Sequence, residues 1–387
     1  MANRANTQYS AFDTRRYLRD EDYKLILDYS FSQYNGKGYQ QYGRFGQKQL
    51  TRVWGNIVKD DEIIVKASAL GVGAAKPMRS TAGYSRYTGS IPKIGHGVKI
   101  GEDDFLHLQE VAATATNRES AMYQLMLDAT IKQSNQLIIG MQNKLTSWVF
   151  EGLSTGVIKN ADIDGVQFDI DINVPAANKF KTESGKDWFT SDTFATANSN
   201  ADPVQDMLDI QDYAEEAKIP VTHWEMTKKL WRKFINHPSV QSKCRNSINS
   251  VVNSALTLTE SQITAQLHDL GVLPIKIVDE KSAIEIDGVS QIDTASFDHT
   301  ALVLAADPSG LFEYKNACSV LEEAVRFGAN KEGIYSFVGE NGSIAVMNKW
   351  YEEEVTNKVT AEQWVVPVPT NPKHICILNI FNSHVWA

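Results

Sequence analysis

Residues 116–150, TNRESAMYQLMLDATIKQSNQLIIGMQNKLTSWVF, decide how this chain is read. Thr116 and Glu119 stand three apart, as in a capping box where the Thr hydroxyl serves a backbone N–H and the Glu side chain reaches back. No proline and only Gly140 interrupt the run from Arg118 to Phe150. Met122, Leu125, Met126, Ala129, Leu137, Ile138, Met141, Leu145 and Trp148 fall close to helical spacing. At 1.5 Å per residue the segment predicts a helix of about 50 Å, far longer than the usual globular helix. Such a helix serves as the backbone of a flat domain.

Upstream, residues 1–50 read as an arm. Tyr9, Tyr17, Tyr23, Tyr29, Tyr34, Tyr39 and Tyr42 make half of the chain's 14 tyrosines, interleaved with Arg15, Arg16, Arg19, Lys24, Lys37, Arg44 and Lys48. Glycines at 36, 38, 43 and 46 prevent a continuous helix, and Tyr and Arg are favoured at interfaces because they bury area and keep a polar end. Glu21–Ser30 predicts a short helix or strand within the arm. Glu62–Ala67 predicts a strand, followed by small residues from Ala69 to Lys76. The stretch to Gly101 is basic, with Lys76, Arg79, Arg86, Lys93 and Lys99 around Tyr84 and Tyr87, and Ile91, Ile94, Val98 and Ile100 mark returning strands. Extended stretches flanking a basic tip predict a long hairpin that needs a neighbouring surface to order it. Asp103–Ala115 bridges to the long helix.

Downstream, residues 155–175 alternate as a strand with Val166, Phe168, Ile170 and Ile172 on one face. A polar connection over 176–201 ends at Asp202-Pro203, a helix N-cap followed by Pro at the first helical position. Helices are predicted at Val204–Ala217, at Trp224–Asn236, and from Pro238 toward Val251. Strands are predicted at Leu273–Val278 and Thr300–Ala305, which makes a second lobe of helices on a small sheet. From Ala317 on, Tyr335–Val338, Ile344–Trp350, Trp364–Val368 and His374–Ile380 predict strands that return to the first lobe beside the long helix.

Composition agrees with a globular protein of two or three lobes: 387 residues, 42% apolar and 22% charged, which argues against disorder, collagen or coiled-coil fibre. The net charge of -9 conceals an asymmetry. Residues 1–100 hold 16 Lys and Arg against 8 Asp and Glu, a net of +8, so the remainder carries -17. One part of the molecule is expected to attract another. Cys244, Cys318 and Cys376 form no metal-type spacing and predict reduced thiols of a protein made inside the cell. The polar N-terminus predicts no secretory signal, and no apolar run approaches a membrane span.

Candidate chemistry is sparse. Gly71-Val-Gly-Ala-Ala-Lys76 lacks the GxxxxGK[ST] pattern and reads as a flexible loop. Asp169 and Asp171 read as the wet side of a strand rather than metal ligands. Glu102-Asp103-Asp104 and Glu352-Glu353-Glu354 read as solvated charge or ion-pair partners. No HxH or HExxH occurs. Lys228, Lys229, Arg232 and Lys233, with Lys243 and Arg245 beyond, could touch nucleic acid, but the polar face of a helix burying Leu230, Trp231 and Phe234 is favoured. No catalytic, cofactor or metal site is predicted.

Taken in order, the arm, the basic loop, the long helix, Gly165-Val-Gln-Phe-Asp-Ile-Asp171 and Asp202-Pro-Val-Gln-Asp-Met-Leu208 form a recognisable succession. Val221-Thr-His-Trp-Glu-Met-Thr-Lys-Lys-Leu-Trp231, Leu270-Gly-Val-Leu-Pro-Ile-Lys-Ile-Val-Asp-Glu280, Asn348-Lys-Trp-Tyr351 and Trp364-Val-Val-Pro-Val-Pro369 continue it. The layout resembles the major capsid proteins of tailed bacteriophages, in the lambda-type branch of the Hong Kong 97 fold. The resemblance implies an α+β fold with an N-terminal arm (1–50), an extended loop (51–102), a peripheral domain (103–201 and 317–387) built on the spine helix 118–150, and an axial domain (202–316). It implies hexamers and pentamers in an icosahedral shell around double-stranded DNA, assembled in the host cytoplasm. Partners would be the chain itself, a separate scaffolding protein, a portal, a decoration protein and non-specifically contacted DNA, with no membrane and no cofactor. Expected contacts between copies are Arg15, Arg16, Arg19, Tyr34, Tyr39, Tyr42, Lys76, Arg79, Tyr84, Arg86, Tyr87 and Lys93, and deleting residues 1–40 is expected to block assembly while leaving the lobes folded. Lys66, Lys76, Lys93 and Lys99 match no crosslinking position, so crosslinking is not predicted. The competing readings are another phage structural or tail-tube protein and a soluble α/β enzyme.

Overall fold

The computed structural model describes residues 16, 19–59, 84–160, 168–247, 258–279, 281–286, 289–294, 296–320, 322 and 333–386. The arm supplies helix α1 (Asp20–Ser32) and strand β1 (Gly43–Phe45), and the hairpin of β2 (Val53–Lys59) and β3 (Tyr84–Ser90) runs on into β4 (Lys93–Ile100). Helices α2 (Glu102–Ala113) and α3 (Arg118–Thr155) lead to a short antiparallel pair, β5 (Val157–Asn160) with β6 (Phe168–Asp171), and then to β7 (Lys179–Lys181). The second lobe begins with α4 (Pro203–Glu216), β8 (His223–Thr227), α5 (Lys228–Phe234), α6 (Pro238–Ser247) and α7 (Glu260–Asp269). It continues through β9 (Ile275–Val278), the hairpin of β10 (Lys281–Ile286) and β11 (Val289–Thr294), and β12 (Ala301–Ala305). Strands β13 (Phe312–Ala317), β14 (Ile334–Val338), β15 (Ile344–Tyr351), β16 (Thr356–Pro369) and β17 (Ile375–Asn379) follow.

The spine expected from residues 116–150 is α3, a helix of 38 residues. Its cap is Asn117 rather than Thr116: the Asn117 carboxamide oxygen accepts the Ser120 N–H at 3.2 Å, a single side-chain cap one residue beyond the start of the capping box predicted at Thr116 and Glu119. It ends at Gly156, whose φ of +81° lets its N–H turn back to the Gly152 carbonyl at 2.8 Å. The bridge expected before it is itself helical: α2 starts where the Gly101 N–H donates to the Asp104 carboxylate at 3.0 Å.

Two sheets flank the spine. The first runs β1-β13-β16-β15-β14, and β4 pairs with the N-terminal half of the long strand β16. Val359, Ala361 and Val365 of β16 share one core with Leu137, Ile138 and Met141 of α3 and with Tyr23 and Leu27 of α1. The second sheet runs β7-β17-β12-β8-β9 and is a wall shared by both lobes. Ala301, Val303, Ala305, Ile375 and Ile377 face the spine core, whereas Leu302, Leu304, Cys376 and Leu378 face the helices of the second lobe.

This wall corrects the expected boundaries. The last strand, β17, pairs antiparallel with β12 in the second sheet, and its Ile375 and Ile377 face the spine core. Lys179–Lys181 pairs with it, and Trp188, Phe189 and Phe194 sit in the second-lobe core, although 176–201 falls within the expected peripheral domain. Phe312–Asn316, at the end of the expected axial domain, pairs with β16 in the first sheet together with Ala317. Two local expectations also change. Trp224–Thr227 is strand β8, and the helix starts only at Lys228, where the Thr227 hydroxyl caps the Leu230 N–H at 3.3 Å. The single strand expected over 155–175 is the β5–β6 pair. The predicted strand Glu62–Ala67, Gly71–Lys76 and the hairpin tip lie outside the described residues. No helix among the described residues is long and apolar enough to cross a membrane.

Candidate functional site: hairpin, arm and outer sheet face

Among the described residues, β2 and β3 pair only with each other, from Val53 opposite Ser90 to Lys59 opposite Tyr84. Strand alternation gives the ribbon two unlike faces. Trp54 is buried with Ile91, Ala317, Val366 and Val368, and the Asn56 side-chain amide donates to the Pro369 carbonyl at 3.2 Å. Arg52 lies 4.0 Å over the Trp364 ring. These contacts anchor the base of the hairpin to the first sheet. On the opposite face Val53 is 64% and Ile57 67% exposed, beside Thr88 and Arg86. Exposed β-branched side chains on a two-stranded ribbon mark a surface built to be covered.

The arm behaves differently. Helix α1 buries Tyr23 and Leu27 against the spine core, leaving Leu25 and Tyr29 in solvent. The Tyr34 hydroxyl meets that of Thr146 on α3 at 2.7 Å. Tyr39 is buried edge-on to Tyr314, 5.1 Å between centroids, and its carbonyl accepts the Tyr314 hydroxyl. Tyr42 is buried edge-on to Phe150 at 5.6 Å. Tyr39 and Tyr42 therefore serve the chain's own core, which corrects their expected place in contacts between copies. Gly43 permits the approach, since a Cβ there would stand 2.0 Å from the Phe312 carbonyl. Deleting residues 1–40 would strip Tyr23, Leu27 and Tyr39 from this core, so that deletion disturbs folding rather than assembly alone.

Tyr42 also reaches a group that the sequence did not announce. The Glu225 carboxylate on β8 is fully buried and accepts from the Tyr42 hydroxyl at 2.9 Å, from His223 Nε2 at 2.9 Å and from Lys276 Nζ at 3.1 Å. Lys276 Nζ donates to the Tyr42 oxygen at 2.9 Å and lies 4.0 Å over its ring. Arm, β8 and β9 are thus pinned at one buried charge. The only signal was the alternation His223-Trp224-Glu225-Met226, obscured by the helix expected there.

The remaining candidates separate. Arg15, Lys76 and Arg79 lie outside the described residues, as does the side chain of Tyr84. Arg16 is half-buried in the arm, and the Arg19 N–H donates to the Asp22 carboxylate at 3.4 Å at the start of α1. Arg86 is exposed on the outer hairpin face, Tyr87 packs on the Trp54 side, and Lys93 is ion-paired with Glu362 on the neighbouring strands. Asp169 and Asp171 point to solvent from β6. The basic stripe of α5 lies opposite buried Leu230, Trp231 and Phe234; Lys228 pairs with Asp279 and Lys229 sits 5.1 Å over Phe194. Among the described residues no cluster of His, Cys, Asp and Glu could hold a metal.

One carboxylate is poised near neutrality. Desolvation pushes Glu151, at the end of α3, up to about 7; the Lys159 backbone N–H and the charges of Lys144 and Lys159 oppose the shift, and Asp169 adds to it. The unfolded chain ionises this group near 4.5, so charging it burdens the fold progressively as pH rises from about 4.5 to about 7. Glu151→Gln is expected to raise the melting temperature at pH 8 and to leave it unchanged at pH 4. An equal effect at both pH values, measured by thermal unfolding, would contradict this account.

Residues 40–263 match the model of a family described as phage major capsid protein E. No curated protein matches the chain. Among solved structures, a protein described as a candidate capsid protein of an Escherichia coli CFT073 prophage is 15% identical, with 98% of this chain and 99% of that chain covered and a TM-score of 0.46. A phage-related protein of Bordetella bronchiseptica RB50 is 11% identical over 93% of this chain and 97% of its own, with a TM-score of 0.49. The mature capsid of bacteriophage PhiM1 is 8% identical over 90% of this chain and 87% of its own, with a TM-score of 0.42. The family match runs from the arm through the spine helix into the second-lobe helices, more than half of the sequence, and the chain belongs to the phage major capsid protein E family.

Proposed function

We propose that this major capsid protein assembles as hexamers and pentamers into the icosahedral shell around double-stranded DNA, with the β2–β3 hairpin as its principal clasp between copies. The observation that carries the clasp is the hairpin's division into an anchored face at Trp54 and an uncovered apolar face at Val53 and Ile57. A ribbon so divided is rigidly attached to its own subunit and offers its other side to a neighbour. Contacts of this kind are heterologous and close into rings. The order of arm, hairpin, spine helix and second lobe supports a Hong Kong 97-type α+β arrangement. Arg16, Arg19, Tyr34, Arg86, Tyr87 and Lys93 stay in the proposed contact set, together with Arg15, Lys76, Arg79 and Tyr84. A separate scaffolding protein, a portal and a decoration protein complete the proposed partners, assembly takes place in the host cytoplasm, and packaged DNA is touched without sequence preference. The role is structural rather than enzymatic.

Electron microscopy of the expressed protein, alone and with its scaffold, tests the reading. Closed shells are expected. Dispersed monomers under every condition, or tubes alone, would overturn it in favour of a tail component or a soluble enzyme.

A further inference from the structure

Between Glu225 and Glu260 the sequence carries Lys228, Lys229, Arg232, Lys233, Lys243 and Arg245 and not one Asp or Glu, although 47 of the 387 residues are acidic. This basic run interrupts the part of the chain whose net charge is -17. Around the cations stand the neutral polar residues Asn236, Ser239, Ser242 and Asn246. Lys, Arg, Ser and Asn are the residue types that meet the phosphate oxygens of a nucleic-acid backbone.

Helix α5 holds part of this run in a fixed orientation. Leu230, Trp231 and Phe234 are buried in the second-lobe core, and the Thr227 hydroxyl caps the first turn. Lys229, Arg232 and Lys233 are exposed on the opposite side, at i, i+3 and i+4 of one helix face. The acids at the rim are already engaged: Asp279 pairs with Lys228, Asp202 pairs with Lys243 at 2.7 Å, and Glu260 accepts the Trp231 indole N–H at 2.7 Å. Lys229 rests 5.1 Å over the Phe194 ring, and among the described residues no carboxylate is ion-paired with Lys229, Arg232 or Lys233. Like charges at this spacing repel one another, so the face gains from an anion laid across it.

The surroundings decide which anion. Among the described residues no large apolar side chain of α5 or α6 is exposed. Interfaces between proteins have an apolar centre, whereas those with DNA are polar and strongly positive. The acidic remainder of the chain does not cancel the face, because charges in physiological salt are screened beyond about 8 Å. We infer that the exposed face of α5 is a contact for the phosphate backbone of double-stranded DNA, with Lys229, Arg232 and Lys233 each meeting a phosphate and no base being read. The inference rests on the reading of the chain as a shell around DNA and names the surface that touches the contents. Phosphate contacts carry no sequence information, and so few of them hold the duplex reversibly.

Fluorescence anisotropy of a short labelled duplex titrated with the dispersed full chain tests the site. Two duplexes of unrelated sequence are expected to bind equally, and the logarithm of the association constant should fall with the logarithm of salt concentration at a slope of about -2.7, as three phosphate contacts require. The variant Lys229→Gln with Arg232→Gln and Lys233→Gln leaves the buried side of α5 intact. Its thermal unfolding should match the wild type, while its duplex affinity falls by about tenfold or more and its salt slope flattens toward zero. Arg86→Gln with Lys99→Gln removes exposed cations of the other basic region and should leave duplex affinity unchanged. Equal affinity of wild type and triple variant refutes the site, and so does loss of binding in the Arg86 and Lys99 variant alone. A triple variant that binds duplex normally but forms no particles also overturns it and assigns the face to an acidic surface of a second copy. Wild-type protein that binds duplex through α5 yet never forms shells supports the site and refutes the capsid reading; shells whose subunits ignore duplex refute the site alone.

Discussion

Replacing Glu225 with alanine is expected to destabilise the folded chain by about 3–5 kcal/mol, because breaking a buried charge cluster from one side leaves its other members without a partner. Three groups lose their acceptor. Lys276 is 31% exposed at its side chain and can turn toward water, and His223 keeps the Thr222 hydroxyl on its other nitrogen at 2.9 Å. The Tyr42 hydroxyl has no such exit, since the residue is buried between β9 and Phe150 of the spine. The loss should therefore fall on the arm. Tyr42→Phe removes one hydrogen bond to a charged acceptor and is expected to cost about 1.5–3 kcal/mol. Hydrogen exchange in Gly38–Phe45 should rise in both variants before the second sheet opens, and denaturant midpoints should fall in the order wild type, Tyr42→Phe, Glu225→Ala. A Glu225→Ala midpoint equal to that of the wild type would show that the cluster pins nothing.

The spine was legible in the sequence because its apolar period persists through α3 without a breaker, and no competing structure fits so long a run. The hairpin was legible only as extended chain around a basic stretch: its strands are Val53–Lys59 and Tyr84–Ser90, whereas the expected returning strand with Ile94, Val98 and Ile100 is β4 and pairs with β16. Strand β8 was not legible. Trp224, Met226, Leu230, Trp231 and Phe234 fit a helical period as well as an alternating start, and only burial of Trp224 and Met226 on one face decides between them. Strand β17 reads Ile-Cys-Ile-Leu-Asn and is buried throughout, so its sequence carries no information about which lobe it joins. The arm's tyrosines show a subtler limit. Tyrosine suits any junction where an apolar ring is covered and its hydroxyl finds a partner. Tyr39 and Tyr42 occupy such junctions, but both sides belong to one chain. Glu225 was invisible for a related reason: its donors come from positions 42, 223 and 276, and no local pattern joins them.

Val53→Asp combined with Ile57→Asp is expected to abolish particle formation while leaving the melting temperature of the subunit unchanged. Neither side chain belongs to a core, and surface substitutions away from special features usually shift stability by no more than about 0.5 kcal/mol. In a covered interface the same carboxylates lose water without gaining a partner, at about 1–3 kcal/mol for each polar group even before charge is counted. In the proposed ring every copy donates one hairpin and receives another, so the penalty would recur at each contact. Trp54→Ala provides the contrast. It empties the anchored face against Val366 and Val368, so it should lower the melting temperature as well as assembly, by the roughly 3–5 kcal/mol of a buried tryptophan. Shells of normal yield from the double Asp variant would mean that copies meet elsewhere and that the exposed face of the hairpin has another use.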